Sequence, residues 1–271
     1  MLEIERPAFR GAAGAARAVA VAGLAGVIAG IVVGGVGGRL FMRLAGAVAG
    51  EAAQGAGTEA GFTVGELTLE GTAGLLLFVG VSSGLVGAAW FVVFRPWLGW
   101  AGRWRGAAFG VLLFALASAT SDVLNPDNVD FRILGNGPIL VMSIVALFVG
   151  FGFLIEPVAS WLDRRLPAAG SGHPIASAVY AVTTTLGVLM GSALLIQALF
   201  TTNFCDCAPP VTAAVGTVAA AAGTALWMAS GIRDVPTWVS SVARILGLGG
   251  LAVATAGLVR ALSDAASVVT A

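Results

Sequence analysis

Lysine is absent from this chain: all fourteen basic residues are arginine. Chemistry that needs a lysine amine, such as a Schiff base to retinal or pyridoxal phosphate, is thereby excluded. Histidine is nearly absent too. The single His173 argues against haem, chlorophyll or a histidine-rich metal centre; placed just before Pro174, it suits an exposed residue at a helix start. Charge as a whole is scarce, at 10% of residues, against about 25% in soluble domains. Too few charges exist to cover a water-exposed surface. Fourteen acidic residues balance the arginines, so the formal net charge is zero, and no basic stripe is offered to nucleic acid. Catalytic signatures are missing as well: no HExxH, GxSxG, Walker A or dinucleotide-binding pattern occurs. With titratable groups scattered along the chain, neither an enzyme nor a bound cofactor or metal is expected.

Apolar sequence is what the chain has in abundance. Hydrophobic residues make up 58% and glycine contributes 39 positions, with a mean hydropathy of +0.96. A bilayer crossing needs about 20 apolar residues. Seven runs are candidates: 18–38, 71–94, 106–121, 137–155, 175–200, 211–230 and 245–259. The third and seventh are short and need flanking residues to complete a crossing. The expected fold is therefore all-α, a polytopic transmembrane helical bundle of about seven spans, forming one integral membrane domain over residues 1–271. The longest polar connection, 45–70, is acidic and rich in Gly and Ala, with too few apolar residues for a core of its own.

Arginine placement predicts the orientation. With the N-terminus inside, ten of the fourteen arginines fall in cytoplasmic segments, beginning with the arm 1–17 that carries Arg6, Arg10 and Arg17. Arg95, Arg103, Arg105, Arg164, Arg165, Arg233 and Arg244 complete that set, and most acids fall outside. Tryptophan agrees: Trp97, Trp100, Trp104, Trp161 and Trp238 lie near the expected inner interface, where indole rings anchor. The result is an N-in, C-out multi-pass protein of the plasma membrane, of bacterial inner-membrane type. Ala47-Val48-Ala49 resembles a signal-peptidase site, but the preceding apolar run is too long and Arg39 and Arg43 interrupt it. A retained first helix is expected.

Several positions could carry function. Gly26, Gly30, Gly34 and Gly38 recur every four residues in the first span, so one face lacks side chains and lets another backbone approach. Gly80, Gly84 and Ala88 of the second span form a matching groove. This row serves either packing within the chain or contact with a second copy or another membrane protein. Arg39 and Arg43 sit one turn apart at the outer end of the same helix. Glu66, Glu70, Asp122 and Asp130 are their nearest candidate partners by topology, in an ion-pair cluster or a vestibule attracting an anion. The segment from Asp122 to Asp130 concentrates oxygen ligands but lacks EF-hand spacing, and Asn125-Pro126-Asp127-Asn128 reads as a turn.

Glu156 precedes Pro157 near the inner end of span four. It is either a headgroup-level carboxylate beside Asp163 and the Arg164–Arg165 pair, or a titratable group in a crevice of the kind a proton-coupled carrier uses. Cys205 and Cys207, separated by one residue in an outer loop, suit a strained disulfide or an intermolecular contact. Thr183, Thr184 and Thr185 give span five hydroxyls that can bond their own backbone. The lead-ins Phe62-Thr63-Val64 and Phe131-Arg132-Ile133 alternate as short strands do and hint at a parallel helix-pair repeat. The functional expectation is a structural or accessory membrane component that packs through glycine-rich helices. The alternative is a small-solute or ion transporter or channel.

Overall fold

A computed structural model describes residues 12–50, 55, 69–120, 123–124, 137–167, 173–200, 211–232, 236–255 and 257–270. These residues are almost entirely helical, with no strand among them. The helices are α1 (Ala12–Ala29), α2 (Gly38–Ala49), α3 (Leu69–Gly74), α4 (Ser82–Phe94), α5 (Arg105–Thr120), α6 (Gly137–Arg165), α7 (Pro174–Phe200), α8 (Val211–Ile232), α9 (Thr237–Thr255) and α10 (Gly257–Thr270). π-helical turns at Gly30–Gly37 join α1 to α2, and a second set at Leu75–Val81 joins α3 to α4. Four stretches are long and apolar enough to cross a membrane: Ala13–Ala49, Gly71–Ser118, Gly137–Arg165 and Thr237–Thr270.

Glycine disfavours a helix in water by about 1 kcal/mol, yet the Gly23–Gly38 stretch is helical throughout. It lies within Ala13–Ala49, which is long and apolar enough to cross a membrane. In hydrocarbon an opened backbone would leave amides without partners, at several kcal/mol each, which would favour helix whatever the propensity. The same reasoning explains where the observed ends differ from the expected ones. The first helix does not stop at Gly38 but runs to Ala49, so the predicted loop 45–70 is helical at both ends, and Ala45 and Gly46 are buried. The fourth does not stop at Ile155: it continues through Pro157 to Arg165, although that proline forfeits the hydrogen bond to the Phe153 carbonyl. The last apolar run is not confined to 245–259 but lies within α9 and α10, with Arg244 exposed on the helix. A long guanidinium side chain can reach out from a helix rather than end it.

The turn between α4 and α5 is a 3₁₀ segment, Arg95–Trp104, broken at Gly102 where φ is 52°. That conformation is left-handed and favours glycine. It reverses the chain, and α5 packs on α6.

Glycine faces close three antiparallel pairings. Between the first and second helices, a β-carbon on Gly30 would meet the Gly80 carbonyl and lie 2.6 Å from Gly84 Cα, while one on Gly26 would lie 2.5 Å from Ala88 Cβ. Between α5 and α6, a β-carbon on Gly152 would lie 2.7 Å from Gly110 Cα, and one on Gly106 would lie 2.5 Å from the Gly152 carbonyl. Between α8 and α9, a β-carbon on Gly223 would lie 2.5 Å from the Gly247 amide and one on Gly216 would lie 2.8 Å from that of Ala254. Large apolar residues fill the centre, where Phe91, Phe94, Trp97, Phe109, Leu116 and Ile155 are fully buried. Phe91 meets Phe109 edge to face at 5.2 Å.

The outside is apolar as well. Ile28, Val32, Val36, Leu40 and Leu44 form an exposed row along the first helix, and Ile175, Val179, Val182, Leu186 and Leu189 another along α7. Branched apolar residues on the outside, with glycine at the helix contacts and large apolar side chains in the centre, depart from the arrangement water enforces. Each such side chain left in water forgoes about 1.5–3 kcal/mol of burial.

Candidate functional site

Polar side chains converge at the end of the bundle where α1 begins. Glu156, on the face of α6 one turn beyond the Gly152 contact, receives Arg95 at the end of the second helix. Arg95 Nη2 donates to Glu156 Oε1 at 3.0 Å and its Nε to Oε2 at 3.2 Å. Arg105, the first residue of α5, brings Nη1 to 3.8 Å from the same Oε1. The Glu156 side chain is 20% exposed, that of Arg105 22% and that of Arg95 41%, so the cluster is largely sheltered. Arg95 also lies over the Phe91 ring, 5.3 Å from its centroid. Two guanidinium groups from the two sides of one turn thus clamp a carboxylate on a third helix.

Seven residues further along α6, about 10 Å at the helical rise, Asp163 pairs with Arg17. Arg17 also donates through Nη2 to the Leu166 carbonyl and through Nε to that of Pro167, both at 3.0 Å. A cation therefore satisfies the carbonyls that every helix C-terminus leaves open. Tyr180 Oη donates to the Pro167 carbonyl at 2.9 Å, and Thr184 Oγ1 to that of Ala16 at 3.0 Å. Of the threonine triplet, Thr183 bonds its own helix at Val179, as a membrane hydroxyl can, while Thr184 ties α7 to α1.

Deeper in the bundle, Trp97 Nε1 donates to Thr224 Oγ1 at 2.8 Å, and Thr224 Oγ1 donates to the Val93 carbonyl at 2.7 Å. Trp97 is 1% exposed and its ring fills the space that a side chain at Gly247 would need. It is a core residue and not the interfacial anchor expected of it. Its indole N–H finds a partner inside, which satisfies the requirement that otherwise draws tryptophan to the headgroups. Trp100, Trp104, Trp161 and Trp238 are exposed.

At the opposite end Arg39 Nη2 donates to Thr72 Oγ1 at 2.7 Å, and Arg43 is exposed. Glu70 lies in α3, whereas Glu66, Asp122, Asp130, Cys205 and Cys207 fall outside the described residues, as do both alternating lead-ins. Gly26 and Gly30 face Gly84 and Gly80; Gly34 approaches the Ser83 hydroxyl and Gly38 the Leu75 side chain. The two π-helical segments lie against one another there, and Gly35 packs on Leu76. Among the described residues no group of three or more His, Cys, Asp and Glu could hold a metal ion.

Arg95, Arg105 and Arg17 were read only as topology markers in the sequence, and Thr224 was not singled out. Signals existed for the first two: each flanks a turn at the level of Glu156, the one acid near a span's inner end with no neighbouring arginine on its own helical turn. No protein-family model matches the chain, and no curated protein or solved structure matches it either.

Proposed function

We propose that this chain is a structural or accessory component of a plasma membrane of bacterial type, crossing it seven times with its N-terminus cytoplasmic and its C-terminus outside. The observation that carries this reading is the glycine closure of three helix pairs. Gly26 and Gly30, Gly106 and Gly152, and Gly216 and Gly223 each press on backbone atoms of the facing helix. Lipid gives helices no hydrophobic drive to associate, so close fit and dispersion hold them together. The ion pairs Arg17–Asp163, Arg95–Glu156 and Arg105–Glu156 join elements at one end of the bundle. The arginine-rich end is the cytoplasmic one by charge bias, and the first and last helices run in the same direction through the bundle.

The first helix's glycine row closes within the chain, so a second copy or another membrane protein would meet that helix along its Ile28–Leu44 row. Reconstitution tests the role. Proteoliposomes holding the purified chain are expected to release potassium, protons and small neutral solutes no faster than empty vesicles. Saturable solute flux would overturn the structural reading in favour of a transporter. The observation favouring that second reading is the pair of apposed π-helical segments, since π turns recur at functional sites.

A further inference from the structure

The Arg95–Glu156–Arg105 cluster holds more positive charge than its carboxylate balances. Among the described residues, Glu156 is the only acid paired with these two guanidinium groups. Arg103, in the same turn, adds a third that stacks over the exposed Trp104 ring at 5.4 Å. The next described acid, Asp163, is taken by Arg17. Arg105 is the clearest sign of something missing. Its Nη1 stands 3.8 Å from Glu156, beyond hydrogen-bond range, and its Nε is buried with no acceptor among the described residues. The Nε is covered by protein, so a ligand would meet Arg105 at its Nη atoms, on a side chain that is 22% exposed and that Glu156 does not hydrogen-bond. The surroundings state what kind. Trp100 and Trp104 are exposed beside the arginines, and Trp104 lies edge-on to the exposed Phe153 at 6.1 Å. Fixed positive charge next to an exposed aromatic surface, at the end of a membrane bundle, matches the two halves of an anionic phospholipid.

We infer that Arg95 and Arg105, with Arg103 at the rim, hold the phosphate of an anionic phospholipid of the cytoplasmic leaflet, its glycerol and upper acyl segment lying against Trp104 and Phe153. Guanidinium groups bind phosphate with paired hydrogen bonds, and basic pockets between helices on the cytoplasmic side recognise such headgroups. The site rests on the proposed membrane reading with this end inside. Glu156 competes with the lipid phosphate for the same donors, so it tunes the affinity.

The test uses the full chain in non-ionic detergent, with phosphatidylglycerol, phosphatidylcholine or inorganic phosphate added, read by native mass spectrometry and apparent melting temperature. The wild-type chain is expected to retain phosphatidylglycerol about tenfold more than phosphatidylcholine, a charge-assisted hydrogen bond being worth that much. Arg105→Gln is expected to lose the preference and Arg43→Gln, at the other end, to keep it. Since Arg105→Gln can fail to fold, Glu156→Gln decides independently. Without its carboxylate the chain should melt lower in detergent alone, recover with phosphatidylglycerol, and bind it more tightly than the wild type. Equal retention of the two lipids, or a Glu156→Gln chain that phosphatidylglycerol does not restore, would overturn the proposal. Restoration by inorganic phosphate alone would replace the lipid with a free oxyanion. A chain monodisperse without detergent would remove the membrane reading and the lipid site together, whereas lost lipid preference alone leaves the membrane reading standing.

Discussion

Thr224 is the residue whose chemistry is most exposed to test. It is 3% exposed and its one hydroxyl serves both the Trp97 indole and the Val93 carbonyl. Thr224→Val leaves both groups buried without partners and should cost about 2 kcal/mol, a buried orphan being worth roughly 1–3 kcal/mol. Thr224→Ser keeps the hydroxyl and should cost well under half of that. Equal melting temperatures for the two variants would show that the hydroxyl contributes nothing. Glu156 and Trp97 illustrate what could be read beforehand at this scale. A carboxylate near the end of an apolar run stands out by its cost of burial, so Glu156 was legible as a residue. Its partners were not, because Arg95 lies 61 positions away and only the packing of three helices brings them together. Trp97 was misplaced for a related reason: composition shows a tryptophan beside arginines, but not the threonine on a distant helix that accepts its hydrogen bond.

At the scale of the element, glycine position rather than glycine content decides packing. Gly30→Leu drives a side chain into the Gly80 and Gly84 backbones and is expected to abolish recovery of folded protein from detergent. Gly249→Leu is the contrast, since a β-carbon there meets nothing within 4 Å, and its yield should equal that of the wild type. Similar losses for both would mean that added side-chain bulk anywhere on these helices, not close backbone contact, sets the cost, since leucine is a better helix former than glycine. Gly102→Ala forces a β-carbon into the left-handed region at φ 52° and should lower stability by about 1–2 kcal/mol, read as an earlier thermal transition. The four-residue glycine row of the first helix was visible in the sequence because its period is strict. The faces on α8 and α9 mix Gly with Ala at spacings of three and four, in segments where alanine is everywhere, so they do not stand out. Helix ends were the least legible, because Arg39, Arg244 and Pro157 read as stops yet ride on continuous helix.

For the whole molecule, the helical class was legible in composition: the described residues are almost entirely helical, and four stretches are long and apolar enough to cross a membrane. The bundle carries branched apolar side chains outward, glycine at its helix contacts and large apolar side chains at its centre. Its net direction depends on the number of crossings, which in turn depends on the turn at Gly102 and on α9 and α10 acting as one final span. An odd count places the chain's two ends on opposite sides. The direct measurement is a pair of fusions to the full chain expressed in a bacterial host: green fluorescent protein, which matures only in the cytoplasm, and alkaline phosphatase, which is active only outside it. Fluorescence from the N-terminal fusion together with phosphatase activity from the C-terminal one is expected. Both ends reporting from the same compartment would contradict a seven-pass bundle.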